Sequence, residues 1–331
     1  MVTYPHRFWT VFGDKRDEVR PTDGEDVHLM VSVRDPETGT VLPVDSGLEL
    51  AVRGPDDSGR ESTHAPWPML SQEMGFHFGD NLELGPDGTY EMTARVGAVG
   101  AETTGAFAGR FDEAATASFS FTFDQAFRDE VVAGISYLPE DQWGRPGALA
   151  NQMGGGGETD GASAAEGTDH RGRERWLDTV DGRRFGTFRR AAGAADLPPA
   201  DDLPGTLLGT PTTGDAVFAV TLLGPDSRFV DDRGHYVAVS SRTPYNRSAL
   251  PMLSLAYEQT RDGDLVAGGE TDLLAPALDP ELGYHYATTL SDVAAGDVLS
   301  VAVETPSQAS RHAGYQTAFF ETDVVEVVLQ P

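Results

Sequence analysis

The sequence predicts an all-β protein: two tandem immunoglobulin-like antiparallel β-sandwich domains joined by a partly disordered linker. Three observations carry this. Short alternating segments end repeatedly in Gly, Pro, Asp or Asn; long helical periodicity is scarce; and one phrase is written twice, as PMLSQEMGFHFGDN from Pro68 and PALDPELGYHYATT from Pro276. Alternation with period two puts successive side chains on opposite faces of a strand, and turn residues break it into the short lengths of a sandwich.

From the N-terminus, DVHLMVSV, GLELAVRG, GTYEMTARV and ASFSFTF read as strands of a first domain over residues 1–126. Residues 127–204 read as linker. FRDEVVAGISYL could form a short helix, and the polar, glycine-rich MGGGGETDGASAAEGTDHRGRER is too poor in apolar residues to pack. DAVFAVTLL, HYVAVSS, DVLSVAVET and DVVEVVL then form a second domain over residues 205–331. Pro68, Leu70, Glu73, Gly75 and His77 recur as Pro276, Leu278, Glu281, Gly283 and His285 at an offset of 208. HLMVSV at His28 answers HYVAVS at His235 at an offset of 207, and TGAFAGRF at Thr104 answers HAGYQTAF at His312. Such agreement in register reads as a tandem duplication. Copy two has DAVFAVTLL ahead of GPDSRF, whereas copy one has only VTY ahead of PHRF. The first domain is therefore expected to lack its first strand, and Met1 to be a truncated or misassigned start.

Charge narrows the function. Against 53 acidic residues stand 24 basic ones, with a single lysine, Lys15, and a formal net charge of −29. Acids spread along the whole chain fit a protein adapted to high salt, where screening removes their repulsion. They argue against a nucleic-acid partner, whose phosphates they would repel. The absence of cysteine excludes disulfides, thiolate zinc sites, iron–sulfur clusters and blue-copper centres. No apolar run is long enough to span a membrane directly, and MVTYPHRFWT has neither the basic head nor the apolar stretch of a signal peptide.

Histidine is the residue type that the repeat singles out. Copy two supplies His235 on a strand, His285 in the duplicated turn and His312 in the last loop; copy one supplies His28 and His77, with Thr104 in the third place. Copy one adds Met30, Met69 and Met74. Residues i and i+2 of a strand share a face, so His28 and Met30 can point into one site. Imidazole with thioether suits a soft or borderline ion such as copper; imidazole alone also suits zinc, nickel or iron. A lone histidine between aromatics in a β turn is more often a structural hydrogen-bonder, and methionines more often fill cores. It is the recurrence that favours metal. His6, His64 and His170 have no counterpart and read as surface residues. Neither a phosphate cradle nor a G-x-S-x-G nucleophile elbow is present. Trp9, Trp67, Trp143 and Trp176 read as packing residues before ligand platforms.

The phrase PMLSQEMGFHFGDN followed by GTYEMTARV, with HLM on an upstream strand, resembles the periplasmic high-affinity iron-transport proteins, the Fe2+ transport protein family. The resemblance implies an immunoglobulin-like sandwich that binds copper and iron (Fe2+), works extracytoplasmically beside an iron permease in the membrane, and carries metal without catalysing a reaction. The family's strand His corresponds to His28 and His235, its Met to Met69, its turn His to His77 and His285, and its loop His to His312. Its glutamate is replaced by Met30 and Val237, and its Met by Ala277 in copy two, which favours copper over Fe2+. The family is typically dimeric, so a tandem chain is expected to fold as its own pseudo-dimer. Two ions are then expected, one on His28, Met69 and His77 and one on His235, His285 and His312. A metal-free structural or adhesive surface protein, or a carbohydrate- or small-ligand-binding module using the aromatic residues, are the other readings.

Overall fold

The computed structural model describes residues 1–43, 47–55, 61–71, 74–133, 179–180, 183–184, 197–230, 234–244 and 246–331. The glycine-rich stretch, His170, Trp143 and Trp176 lie outside them.

The regular secondary structure of the described chain is almost all strand. The first half holds β1 (Val2–Thr3), β2 (Phe8–Phe12), β3 (Lys15–Val19), β4 (Val27–Val31), β5 (Leu48–Arg53), β6 (Glu61–His64), β7 (Trp67–Ser71), β8 (Gly75–Leu82), β9 (Gly88–Val96), β10 (Glu102–Thr103) and β11 (Ala115–Phe123). Helix α1 (Gln125–Ala133) falls where the sequence allowed one, and a two-residue pair, β12 (Thr179–Val180) and β13 (Arg183–Arg184), follows. The second half holds β14 (Thr206–Gly209), β15 (Thr212–Thr213), β16 (Ala216–Leu223), β17 (His235–Arg242), β18 (Ser254–Arg261), β19 (Asp264–Leu273), β20 (Ala275–Asp279), β21 (Gly283–Leu290), β22 (Val298–Thr305), β23 (Ser310–Arg311) and β24 (Val325–Val328).

Each half is a two-sheet sandwich with the same strand order. The order β11-β9-β5-β6 is answered by β24-β22-β18-β19, and β1-β4-β8-β7-β23 by β16-β17-β21-β20-β10. Neither larger sheet is made by one half alone. β10 of the first half pairs in parallel with β20, and β23 of the second half pairs in parallel with β7. The exchange follows one rule in both directions. The Thr104 amide donates to the Leu278 carbonyl, and the His312 amide, 208 residues on, donates to the Leu70 carbonyl. The hairpin β2–β3 extends the first sheet beyond β23, with Trp9 opposite Arg311.

Alternation decides what each face buries. On β4, β7 and β8 the residues Val27, Leu29, Leu70, Phe76, Phe78 and Leu82 enter the apolar core. Their neighbours His28, Met30, Met69, His77, Gly79 and Asn81 fall on the opposite face by the pleat. That face is buried too: His28, Met69 and His77 have no exposure, and neither Met30 nor Met69 belongs to a core cluster. A sheet buried on both sides with polar groups on one of them needs partners for those groups.

Candidate metal centre

The buried outer face of the first larger sheet gathers four imidazoles and a thioether. His28 is on β4; Met69 on β7 is directly opposite His77 on β8; His6 lies in the connection between β1 and β2. His312 comes from the second half, carried in directly after β23. Arg311 anchors that segment: its guanidinium is fully buried, donates to the carbonyls of Ala309 and Ser307, and lies against Phe319 and Phe320. Ligand nitrogens of His6, His28 and His312 lie within 4.8 Å of one another. His312 also reaches His77, Nε2 to Nε2, at 3.2 Å.

Hydrogen bonds set three of the four tautomers. His6 Nδ1 faces the Tyr4 carbonyl at 3.1 Å, His77 Nδ1 faces the Gly75 carbonyl at 3.0 Å, and His28 Nδ1 faces the Asn81 Oδ1 at 2.8 Å. An oxygen acceptor at each Nδ1 requires the proton there, so all three present a bare Nε2 to the cluster. His312 meets two of these bare nitrogens, His6 Nε2 from its Nδ1 at 3.0 Å and His77 Nε2 from its own Nε2. As a neutral ring it has one N–H to give. A second proton is disfavoured: burial, then His77, His6 and His28, hold its pKa well below the ordinary value. His28 Nε2 is buried and has no hydrogen-bond partner among the described residues. The cluster is thus short of hydrogen and rich in lone pairs. Burial also lowers His6, brings His77 down to about 4, and with the proximity of His6 holds His28 well below its usual range. All four rings are therefore neutral at pH 7, the form that ligates metal.

Gly79 lies beside these nitrogens. A Cβ at Gly79 would lie 2.9 Å from Met69 Sδ and 3.0 Å from His28 Nε2, so thioether and imidazole flank one small cradle that any side chain would fill. Bare imidazole nitrogens and a sulfur, with no carboxylate among the clustered ligand atoms, fit a soft or borderline cation. Met30 lies on the same face, opposite Gly79.

The second expected triad does not assemble. His312 sits with the first half's histidines. His285, fully buried, points Nδ1 at the Gly283 carbonyl, while its Nε2 accepts from the Tyr236 hydroxyl at 2.9 Å. His235 opens β17 opposite Leu290. The reason is register. His28 pairs with Asn81 and Tyr236 with Thr289, so the structural counterpart of His28 is Tyr236, at the offset of 208 that governs the turn. A one-residue slip sends a side chain to the other face. The rest of the second half's outer face is filled: Ala219, Leu223, Tyr236, Ala238 and Ala287 pack under Leu203 and Leu282. Thr104, in the place of His312, donates at 2.7 Å to buried Asp279, which also receives Arg228.

His6, read from sequence as a surface residue, is part of the cluster. PHRF aligns with DSRF of the second half, and Phe8 then stands to His28 as Phe229 stands to Tyr236, with ring centroids 6.0 and 4.9 Å apart. That pairing placed His6 beside the strand histidine, but only in combination with the correct register. His64 stays apart on β6, bonded to Ser62.

A family model described as "Domain of unknown function (DUF7350)" matches residues 201–328. No curated protein matches the chain. Among solved structures, a copper-bound variant of Campylobacter jejuni P19 is similar at 18% identity with a TM-score of 0.29, over 38% of this chain and 95% of that one. A copper-bound variant of uropathogenic Escherichia coli FetP is similar at 16% identity with a TM-score of 0.26, over 38% and 93%. Copper is stated of those proteins; at these scores nothing passes from them to the present chain. Among the described residues no helix is long and apolar enough to cross a membrane.

Proposed function

We propose that the protein binds one soft metal ion per chain, copper foremost, in the cluster of His6, His28, His77, His312 and Met69, and that it carries and hands over that ion without transforming a substrate. One observation carries this: bare Nε2 atoms of three oriented imidazoles converge on a fourth ring that has one proton for two of them. A cation supplies what the missing hydrogens do not. The donor set is neutral and includes a thioether, which favours copper over hard Fe2+. The resemblance to the iron-transport proteins extends this reading to an extracytoplasmic role beside an iron permease, with Fe2+ as a second cargo.

A single ion is expected because the second half's counterpart is closed. Tyr236 gives His285 Nε2 the proton that His77 Nε2 lacks, and alanine stands at 277 where the first half has Met69. A purely structural or adhesive role would leave the histidines dispersed or internally satisfied, as His285 is.

The test is metal analysis after equilibration with Cu(I), and separately Cu(II) and Fe2+, followed by removal of unbound ion. The wild-type chain should retain close to one copper. His77→Gln and His312→Gln should lose it, and His285→Gln should keep it. Retention unchanged in His312→Gln, or no stoichiometric ion in any form, refutes the proposal.

A further inference from the structure

We propose that Asn81 is the positioning residue of this centre, its one amide holding two imidazoles in place. The inference rests on the reading of the cluster as a metal site and adds a residue that ligates nothing.

Asn81 is on β8, 8% exposed, directly opposite His28. Its Oδ1 accepts from His28 Nδ1 at 2.8 Å and from the His6 backbone N–H at 3.3 Å; its Nδ2 donates to the His6 carbonyl at 3.1 Å. The three bonds are mutually consistent. The His6 carbonyl can only accept, so the amide nitrogen lies on that side and the oxygen on the other. The oxygen then requires a proton on His28 Nδ1, which frees His28 Nε2 toward the Met69 sulfur.

The second consequence concerns His6. It is partly exposed, and it lies in the connection between β1 and β2, outside any strand. The paired bonds from Asn81 to its N–H and C=O imitate one rung of a ladder and fix the backbone from which its ring reaches His312. Metal-ligating histidines depend on such partners for orientation and donor strength. The second half offers a comparison. Asn81 corresponds there to exposed Thr289, opposite Tyr236, where there is no imidazole to orient.

Two substitutions separate the two tasks. Asn81→Leu removes both. Asn81→Asp keeps an acceptor for His28 Nδ1 and for the His6 N–H and replaces the donor to the His6 carbonyl with a charged oxygen that repels it. Imidazole 15N shifts of the metal-free protein should show His28 as the Nδ1–H tautomer in the wild type and in Asn81→Asp, and a mixture in Asn81→Leu. Copper affinity, measured by competition with a Cu(I) chelator, should fall about 10- to 100-fold in Asn81→Leu, less in Asn81→Asp. In Asn81→Asp the His6 resonance should broaden while that of His28 stays. If Asn81→Leu does not fold, Asn81→Asp alone decides, by those His6 and His28 signals. An unchanged His28 tautomer with wild-type copper affinity in Asn81→Leu, or loss of the His28 tautomer in Asn81→Asp, overturns the assignment. The tautomer measurement needs no metal, so it stands even if the wild type retains none.

Discussion

Gly79 keeps the space beside Met69 Sδ and His28 Nε2 open by having no side chain. A methyl group there would stand within 3.0 Å of both and 3.3 Å from the Leu29 carbonyl. Gly79→Ala is therefore expected to lower copper affinity by about tenfold or more, as loss of ligand placement does elsewhere. The flexible thioether can swing aside, so thermal unfolding of the metal-free protein should change little; a chelator competition and a melting curve on the same variant check both. His285 shows the opposite condition, an imidazole whose needs are met. Burial holds its pKa at about 4, against 6.5 for the free side chain. Below pH 6.5 the unfolded chain takes a proton that the folded one refuses, so His285 favours folding above that pH. Its contribution, on the order of 3 kcal/mol, fades as pH falls to about 4. In His285→Gln, which keeps an acceptor for Tyr236, urea midpoints between pH 6.5 and 4 should lose close to one proton's worth of slope. An unchanged slope would show that the ring is protonated within the fold.

At the scale of elements the exchanged strands β10 and β23 decide where chemistry is possible. Both bring a side chain to the partner half's sheet, Thr104 in one direction and His312 in the other. Thr104 serves packing. Its hydroxyl is one of the donors to Asp279, a carboxylate with no exposure that also receives Arg228 and the amides of Glu281 and Leu282. Thr104→Val should cost about 1–2 kcal/mol, since a buried acceptor loses one partner, and should leave copper binding untouched; denaturant titration and metal analysis together check this. These elements also show what could be read in the sequence. Strand alternation and turn residues disclosed the all-β architecture, because both signals are local. The repeat singled out His28 and His77 in one half and His312 in the other, and the family resemblance added Met69. It did not disclose that His312 crosses to the other half, because the parallel pairing of β23 with β7 joins residues more than 200 positions apart and leaves no periodicity behind. His235 misled for a smaller reason. It matches His28 in residue type but stands one place from the register, which only the ladder with β21 reveals. His6 has serine, Ser227, in its corresponding place, so likeness between the halves pointed away from it.

For the whole molecule the consequence is mechanical. Three of the imidazoles and the thioether belong to residues 1–126, while the fourth imidazole arrives from residue 312, directly after a strand held between β7 and β2. An ion bound by all of them is bound only while the two halves are docked. Its binding free energy therefore favours the docked state of the entire chain, and the gain grows with free ion as about 2.7 kcal/mol at a hundred times the dissociation constant. The apolar core runs on through both sandwiches, so docking and folding are not separate events for the second half. Amide hydrogen exchange measured with and without Cu(I) should show slowing in β16, β17, β21 and β22, which hold none of the clustered ligands, as well as in β4, β7 and β8 around the ion. His312→Gln should abolish the slowing in the second half more completely than in the first, because it severs the one ligand the second half provides. Protection confined to the first half in the wild type would mean that His312 rests beside the ion without binding it, and that the halves dock independently of the cargo.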